Sequence, residues 1–82
     1  MKHGKGTFTW ADNDVYTGDW KDDHQEGFGI LKFSDGDRYE GEFKRDKKHG
    51  MGEYYASTGH MFKGIFKNDI LTWLKLVYLI FI

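Results

Sequence analysis

The residues whose types and spacing suggest chemistry are three G-x-G pairs, four histidines and several adjacent carboxylates. The pairs are Gly4/Gly6, Gly27/Gly29 and Gly50/Gly52. A glycine-rich turn cradles phosphate when a strand precedes it and a helix N-terminus follows, because converging backbone N–H groups then face the anion. Here short alternating, aromatic-rich runs flank the pairs on both sides, so the glycines read as parts of strands. A metal centre needs ligands that converge on one point. His3 and His49 each precede a G-x-G, and Glu26 fills the same place between them, so they mark one recurring position rather than a cluster. His24 and His60 have no evident partners. No serine sits in a nucleophile elbow, and Asp22/Asp23 and Glu40/Glu42 read as solvated charges. The expectation is therefore a chain that is not an enzyme, with no catalytic residues, no cofactor and no metal.

The spacing of those motifs is the stronger signal. Shifted by 23 positions, the sequence matches itself: Tyr16, Tyr39 and Phe62 align, as do Gly18, Gly41 and Gly64, then Trp20, Phe43 and Phe66. Gly4, Gly27 and Gly50 fall in register, then Gly6, Gly29 and Gly52, and Asn13, Gly36 and Gly59 mark the turns. Internal periods of this length indicate repeat architectures. Each copy reads as a hairpin. VYTGDW and RYEGEF lead in, GFGILKF and GMGEYYA return, and SDGD and ASTG carry the chemistry of tight turns with positive φ. The polar stretches KDDHQE and KRDKKH read as longer loops. Six strands are expected, at roughly 5–10, 15–20, 28–33, 38–43, 51–55 and 61–66.

Side chains alternate faces along a strand. Tyr16, Gly18 and Trp20 therefore share a face, as do Gly27, Gly29, Leu31 and Phe33, and Tyr39, Gly41 and Phe43 with Gly50, Gly52 and Tyr54. That face mixes large rings with missing side chains. Glycine weakens a strand unless something approaches its backbone closely, and a ring laid over the vacant position does so. Gly41, Gly50 and Gly52 are thus read as sockets, and Gly41→Val is expected to lower the melting temperature. The opposite face is mixed and mostly polar, with Phe28, Ile30, Met51, Tyr55 and Ile65 as either scattered surface hydrophobes or a patch.

Composition sets the limits. Eighty-two residues make one small domain with a thin core. There are no cysteines and no prolines, and the net charge is -1. Absent thiols fit a reducing compartment, and the near-neutral charge argues against nucleic acid as a partner. The start, MKHGKGTFTW, lacks the apolar core of a signal peptide.

The runs Y-T-G-D-W…E-G-F-G-I-L-K-F-S-D-G and Y-E-G-E-F…H-G-M-G-E-Y-Y-A-S-T-G resemble MORN repeats (membrane occupation and recognition nexus). The resemblance covers residues 3 to about 69, with partial copies at 3–15 and 62–69 around full copies at 16–38 and 39–61. It implies an all-β fold: an elongated, single-layer antiparallel meander of hairpins. It also implies scaffold or adaptor roles in the cytoplasm, at the cytoskeleton or cilium, or beside a membrane. In other members the repeats stand next to an enzyme such as a phosphatidylinositol phosphate kinase or a SET-domain methyltransferase. Asn13 stands at a turn-glycine position, Phe43 and Phe66 at tryptophan positions, and Phe62 at a tyrosine position. Register breaks after Asp69, where glycines due at 73 and 75 are Trp73 and Lys75.

Residues 70–82, ILTWLKLVYLIFI, form an apolar tail. As a helix it would span about 20 Å, short of a membrane core of roughly 30 Å. Three readings are open. It caps the ribbon as a strand or short helix over the aromatic face, it touches a membrane with Trp73 and Tyr78 at headgroup depth, or it marks the chain as a fragment or altered end of a longer repeat protein. The expected function is protein–protein interaction, with Tyr16, Trp20, Tyr39, Phe43, Tyr54 and Phe62 as anchors if the ring face is open and as core if the tail covers it. The alternatives are membrane or phosphoinositide association, with Lys44, Arg45, Lys47 and Lys48 on anionic headgroups, and a regulatory segment of a larger enzyme. The open ribbon ends also offer a route to homo-oligomers.

Overall fold

The computed structural model describes residues 2–78, with side chains described through Thr72. Seven strands run in sequence order: β1 (Gly4–Thr9), β2 (Val15–Lys21), β3 (His24–Lys32), β4 (Arg38–Lys44), β5 (Lys47–Tyr55), β6 (Met61–Lys67) and β7 (Ile70–Tyr78). Each pairs antiparallel with the next in one open sheet. The molecule measures 44 × 25 × 17 Å. Its smallest dimension exceeds the thickness of a flat sheet, so the ribbon is twisted and curled, as antiparallel strands rich in glycine permit.

Two sets of turns connect the strands. At one rim, Asn13, Gly36 and Gly59 hold φ of 74°, 100° and 101°. Gly36 N–H donates to Phe33 O at 3.0 Å and Phe33 N–H to Asp37 O at 2.9 Å, closing the turn. At the other rim the connections are much shorter than the loops expected for KDDHQE and KRDKKH. Only Asp22–Asp23, Arg45–Asp46 and Asn68–Asp69 lie outside strands there, all at φ between 49° and 70°. Two consecutive positive-φ residues give the turn whose twist matches that of the flanking strands. The polar stretches are therefore mostly strand, and β3 and β5 begin inside them.

These short turns also hold neighbouring hairpins together. Asp46 N–H donates to Gln25 O at 3.1 Å, while Gln25 N–H donates to Asp46 Oδ1 at 2.7 Å. Asp69 and Lys48 make the same pair at 2.9 and 2.7 Å, as do Asp23 and Lys2. The three aspartates stand 23 residues apart in KDD, KRD and KND. Their periodicity was visible in the sequence, but their partners lie 21 residues back on another hairpin. At the opposite rim, Asp14 accepts from Ser34 N–H and Asp37 from Ser57 N–H, at 2.9 and 2.8 Å.

The register places the glycines in a line across the sheet. Gly6 faces Gly18, Gly18 faces Gly29, Gly29 faces Gly41, Gly41 faces Gly52 and Gly52 faces Gly64. The line ends at β7, where Leu74 stands opposite Gly64. Residues 70–78 of the tail thus form a seventh strand on the edge of the sheet rather than a helix. Trp73 and Tyr78 as headgroup contacts, and residues 79–82, lie outside the described side chains and residues.

Candidate functional site

The ring face is built on that glycine line. Tyr16 and Tyr39 are fully buried, Trp20 is 7% exposed and Phe43 4%. A Cβ added to Gly29 would fall under 3.0 Å from the Tyr16 ring, and one on Gly52 under 3.0 Å from the Tyr39 ring. On Gly18 and Gly41 it would meet the backbone of the next strand and the same tyrosine hydroxyls. Each tyrosine therefore lies flat over glycines of its own strand and the next. Its hydroxyl donates to a backbone carbonyl beyond them, Tyr16 to Asp19 O at 2.8 Å and Tyr39 to Glu42 O at 3.1 Å. Burial, with Asp19 and Glu42 nearby, pushes both phenols up to about 12, so they remain donors at neutral pH.

The two members of each G-x-G do different work. Gly29 and Gly52 are the ring seats. Gly27 and Gly50 adopt φ of 84° and 88°, and a Cβ on either would point at Asp19 or Glu42 on the other face. They sit where β3 and β5 bulge: between Gly18 and Trp20 the partner strand advances from Gly29 to Gln25, four residues against two, and β5 does the same opposite β4. Glycine is needed at these bulges for its backbone conformation. Gly50, expected as a socket, is a bulge residue. The sequence could not separate the two roles because alternation puts both glycines on one face until the bulge is known.

The rings also contact one another. Trp10, Phe8, Trp20, Tyr16, Phe43, Tyr39 and Phe66 form a continuous chain of edge-to-face contacts, with centroids 5.0 to 6.3 Å apart and planes 82° to 90° apart. Aromatic pairs prefer this geometry, since the positive edge of one ring meets the negative face of the next. Four of the six expected anchors, Tyr16, Trp20, Tyr39 and Phe43, are consequently core. They are covered by each other and by the rings packed against them. Tyr54 and Phe62 remain half-buried.

Those two line an opening at the C-terminal end of the ring face. It has a volume of about 280 Å³ and is lined by Tyr54, Phe62, Gly64, Phe66 and Leu71. It is the third copy of the tyrosine socket, and among the described residues no ring fills it. Phe43 packs edge-on against Tyr16 at 5.1 Å, and Phe66 against Tyr39 at 5.2 Å, each ring 27 residues on. Among the described residues, the ring stacked on Phe62 is His60, at 6.3 Å, and Tyr54 faces Phe62 across the β5–β6 ladder. Leu74 occupies the place opposite Gly64 that Gly29 and Gly52 hold in earlier copies. Tyr54 closes one side, its hydroxyl donating to Asp37 Oδ2 at 2.8 Å.

The four basic residues do not form one surface. Lys44, Arg45 and Lys47 are exposed around the β4–β5 turn, where Asp46 is bound to Gln25 and to His24 at 2.7 Å. Lys48 is half-buried on the ring face, its Nζ 5.5 Å from the Tyr39 ring centre and 5.7 Å from that of Phe33. On the opposite face, Phe28, Met51 and Ile65 are 52%, 67% and 44% exposed. Met51 faces Ile65 directly, but Glu42 faces Phe28 and divides the patch, while Ile30 and Tyr55 are half-buried. Among the described residues there is no cluster of three or more potential metal ligands, and no helix long and apolar enough to cross a membrane.

The MORN repeat model matches residues 1–15, 16–38 and 39–61. The chain belongs to the MORN repeat family. No curated protein matches it significantly. In this MORN chain the repeat supplies the glycine line, the seated tyrosines and the ring chain, and the open third socket lies immediately past the last matched copy.

Proposed function

We propose that this MORN chain is a non-enzymatic protein-interaction module, a scaffold or adaptor, that anchors an aromatic side chain of a partner in its third socket. The observation that carries this reading is a ring chain that, among the described residues, stops short of Phe62. Tyr16 and Tyr39 each receive a ring edge, whereas Phe62 borders a 280 Å³ apolar opening instead. An aromatic residue entering beside Phe62 repeats a contact already made twice. Buried aromatic anchors dominate interface energetics when they fill such pockets, and the polar turns around the ring face are free to differ between proteins with the same core.

The test is site-specific photo-crosslinking in cells. Benzoylphenylalanine at position 62 is expected to give a discrete protein adduct that Leu71→Asp abolishes, while the same probe at position 28 gives none. Adducts of equal yield from both positions, or none from position 62, would contradict the reading.

A further inference from the structure

The opposite end of the ring face carries a second, chemically different site. Phe8, Trp10, Trp20, Gln25, Asp23, Asp46 and the Lys2 side chain enclose a hollow of about 390 Å³. Phe8 stands perpendicular to Trp10, with centroids 5.0 Å apart, and nearly perpendicular to Trp20, 6.3 Å away. The result is a corner of aromatic faces rather than a flat stack. The Lys2 ammonium occupies it, 4.6 Å from the Phe8 centre and 5.3 Å from that of Trp20. Both distances lie within the range at which a ring quadrupole attracts a cation. Among the described residues Lys2 Nζ has no hydrogen-bond or ion-pair partner, so the rings hold it. The carboxylates of Asp23 and Asp46 in the wall are committed to backbone N–H groups of Lys2 and Gln25, yet they make the hollow electronegative. Gln25 is 5% exposed, and among the described residues its Nε2 has no hydrogen-bond partner.

We propose that this corner is a binding site for a methylated ammonium carried on a lysine side chain of a partner protein, and that Lys2 occupies it until displaced. A primary ammonium has three N–H groups that want acceptors, and among the described residues Lys2 Nζ makes no hydrogen bond to the carboxylates or to Gln25 in the wall. A trimethylammonium has no N–H to satisfy and spreads its charge over methyl groups, so it costs less to take from water and place against the rings. The occupant already present is a lysine on the segment leading into β1, which favours a lysine of another protein chain over a lipid headgroup. The site shares no residue with the third socket, so either can fail without the other.

The experiment follows the N-methyl resonance of acetyl-trimethyllysine methyl ester by NMR as the full chain is added. Binding against the rings is expected to move it upfield, through ring currents. Lys2→Ala should tighten binding by about tenfold, since the competing cation is gone, and Trp10→Ala should weaken it by about tenfold. The neutral carbon isostere, with a tert-butyl group in place of trimethylammonium, should show no shift. An equal shift from the isostere, no shift with the Lys2→Ala chain, or binding confined to phosphatidylcholine vesicles would overturn the proposal. Because Trp10 lies at the edge of the ring chain, circular dichroism of Trp10→Ala separates lost binding from lost fold. If that variant unfolds, Phe8→Leu replaces it, with the same expected loss.

Discussion

The second and third copies of the repeat differ by little in sequence and by much in outcome. Around Tyr39 the socket is closed: the ring covers Gly41 and Gly52, its hydroxyl reaches Glu42 O, and Phe66 packs against it. Around Phe62 there is no hydroxyl, Leu74 faces Gly64, and among the described residues a cavity stands where the neighbouring ring would be. A ring seated over glycine needs both an empty Cβ position and a second ring to cover it. Where either is missing, a core residue becomes a surface one. The same repeat therefore builds a core and, where it lapses, an apolar site.

Truncating the two equivalent rings gives the widest separation. Tyr39→Ala is expected to cost about 3–5 kcal/mol in urea unfolding, as for a large buried aromatic. Phe62→Ala, half-buried beside an existing cavity, is expected to cost about 1–2 kcal/mol. Equal costs would erase the distinction between closed and open sockets. A smaller change tests the hydroxyl: Tyr39→Phe removes one hydrogen bond to a backbone carbonyl and should cost about 1 kcal/mol.

The smallest effect concerns pH. A hydrogen bond from Ser57 N–H, then one from the Tyr54 hydroxyl, holds the Asp37 carboxyl below its ordinary value of 3.8. Likewise, the Lys2 N–H holds Asp23 low. A carboxylate with a lowered folded-state pKa stabilises the fold above its unfolded value and loses that contribution as pH falls through the folded one. Thermal stability should therefore drop as pH falls below 3.8. Asp37→Asn should flatten part of that drop, and an unchanged pH profile would argue against the Asp37 bonds.

Most of the fold was legible because the 23-residue period fixed the turns and the alternation fixed the faces. The turn position of Asn13, at φ 74°, and the shared face of Tyr39, Gly41 and Phe43 follow from those two rules. What the sequence hid was long-range. The bulges at Gly27 and Gly50 break the alternation, and nothing local distinguishes them from the seats at Gly29 and Gly52. The type of turn at Arg45–Asp46 depends on two non-glycine residues taking positive φ, stabilised by Asp46 bonding back to Gln25. The open socket needs knowledge of which ring covers which, a contact 27 residues away.

The seating of rings over glycine is tested most directly by one pair of variants in one strand, Gly50→Ala and Gly52→Ala, compared by urea unfolding. Gly50 has left-handed φ and room for a methyl group, so alanine should cost about 1 kcal/mol. Gly52 has an ordinary φ but no room beneath the Tyr39 ring, so alanine should cost about 3 kcal/mol or more. Equal losses, or a larger loss at Gly50, would contradict the account.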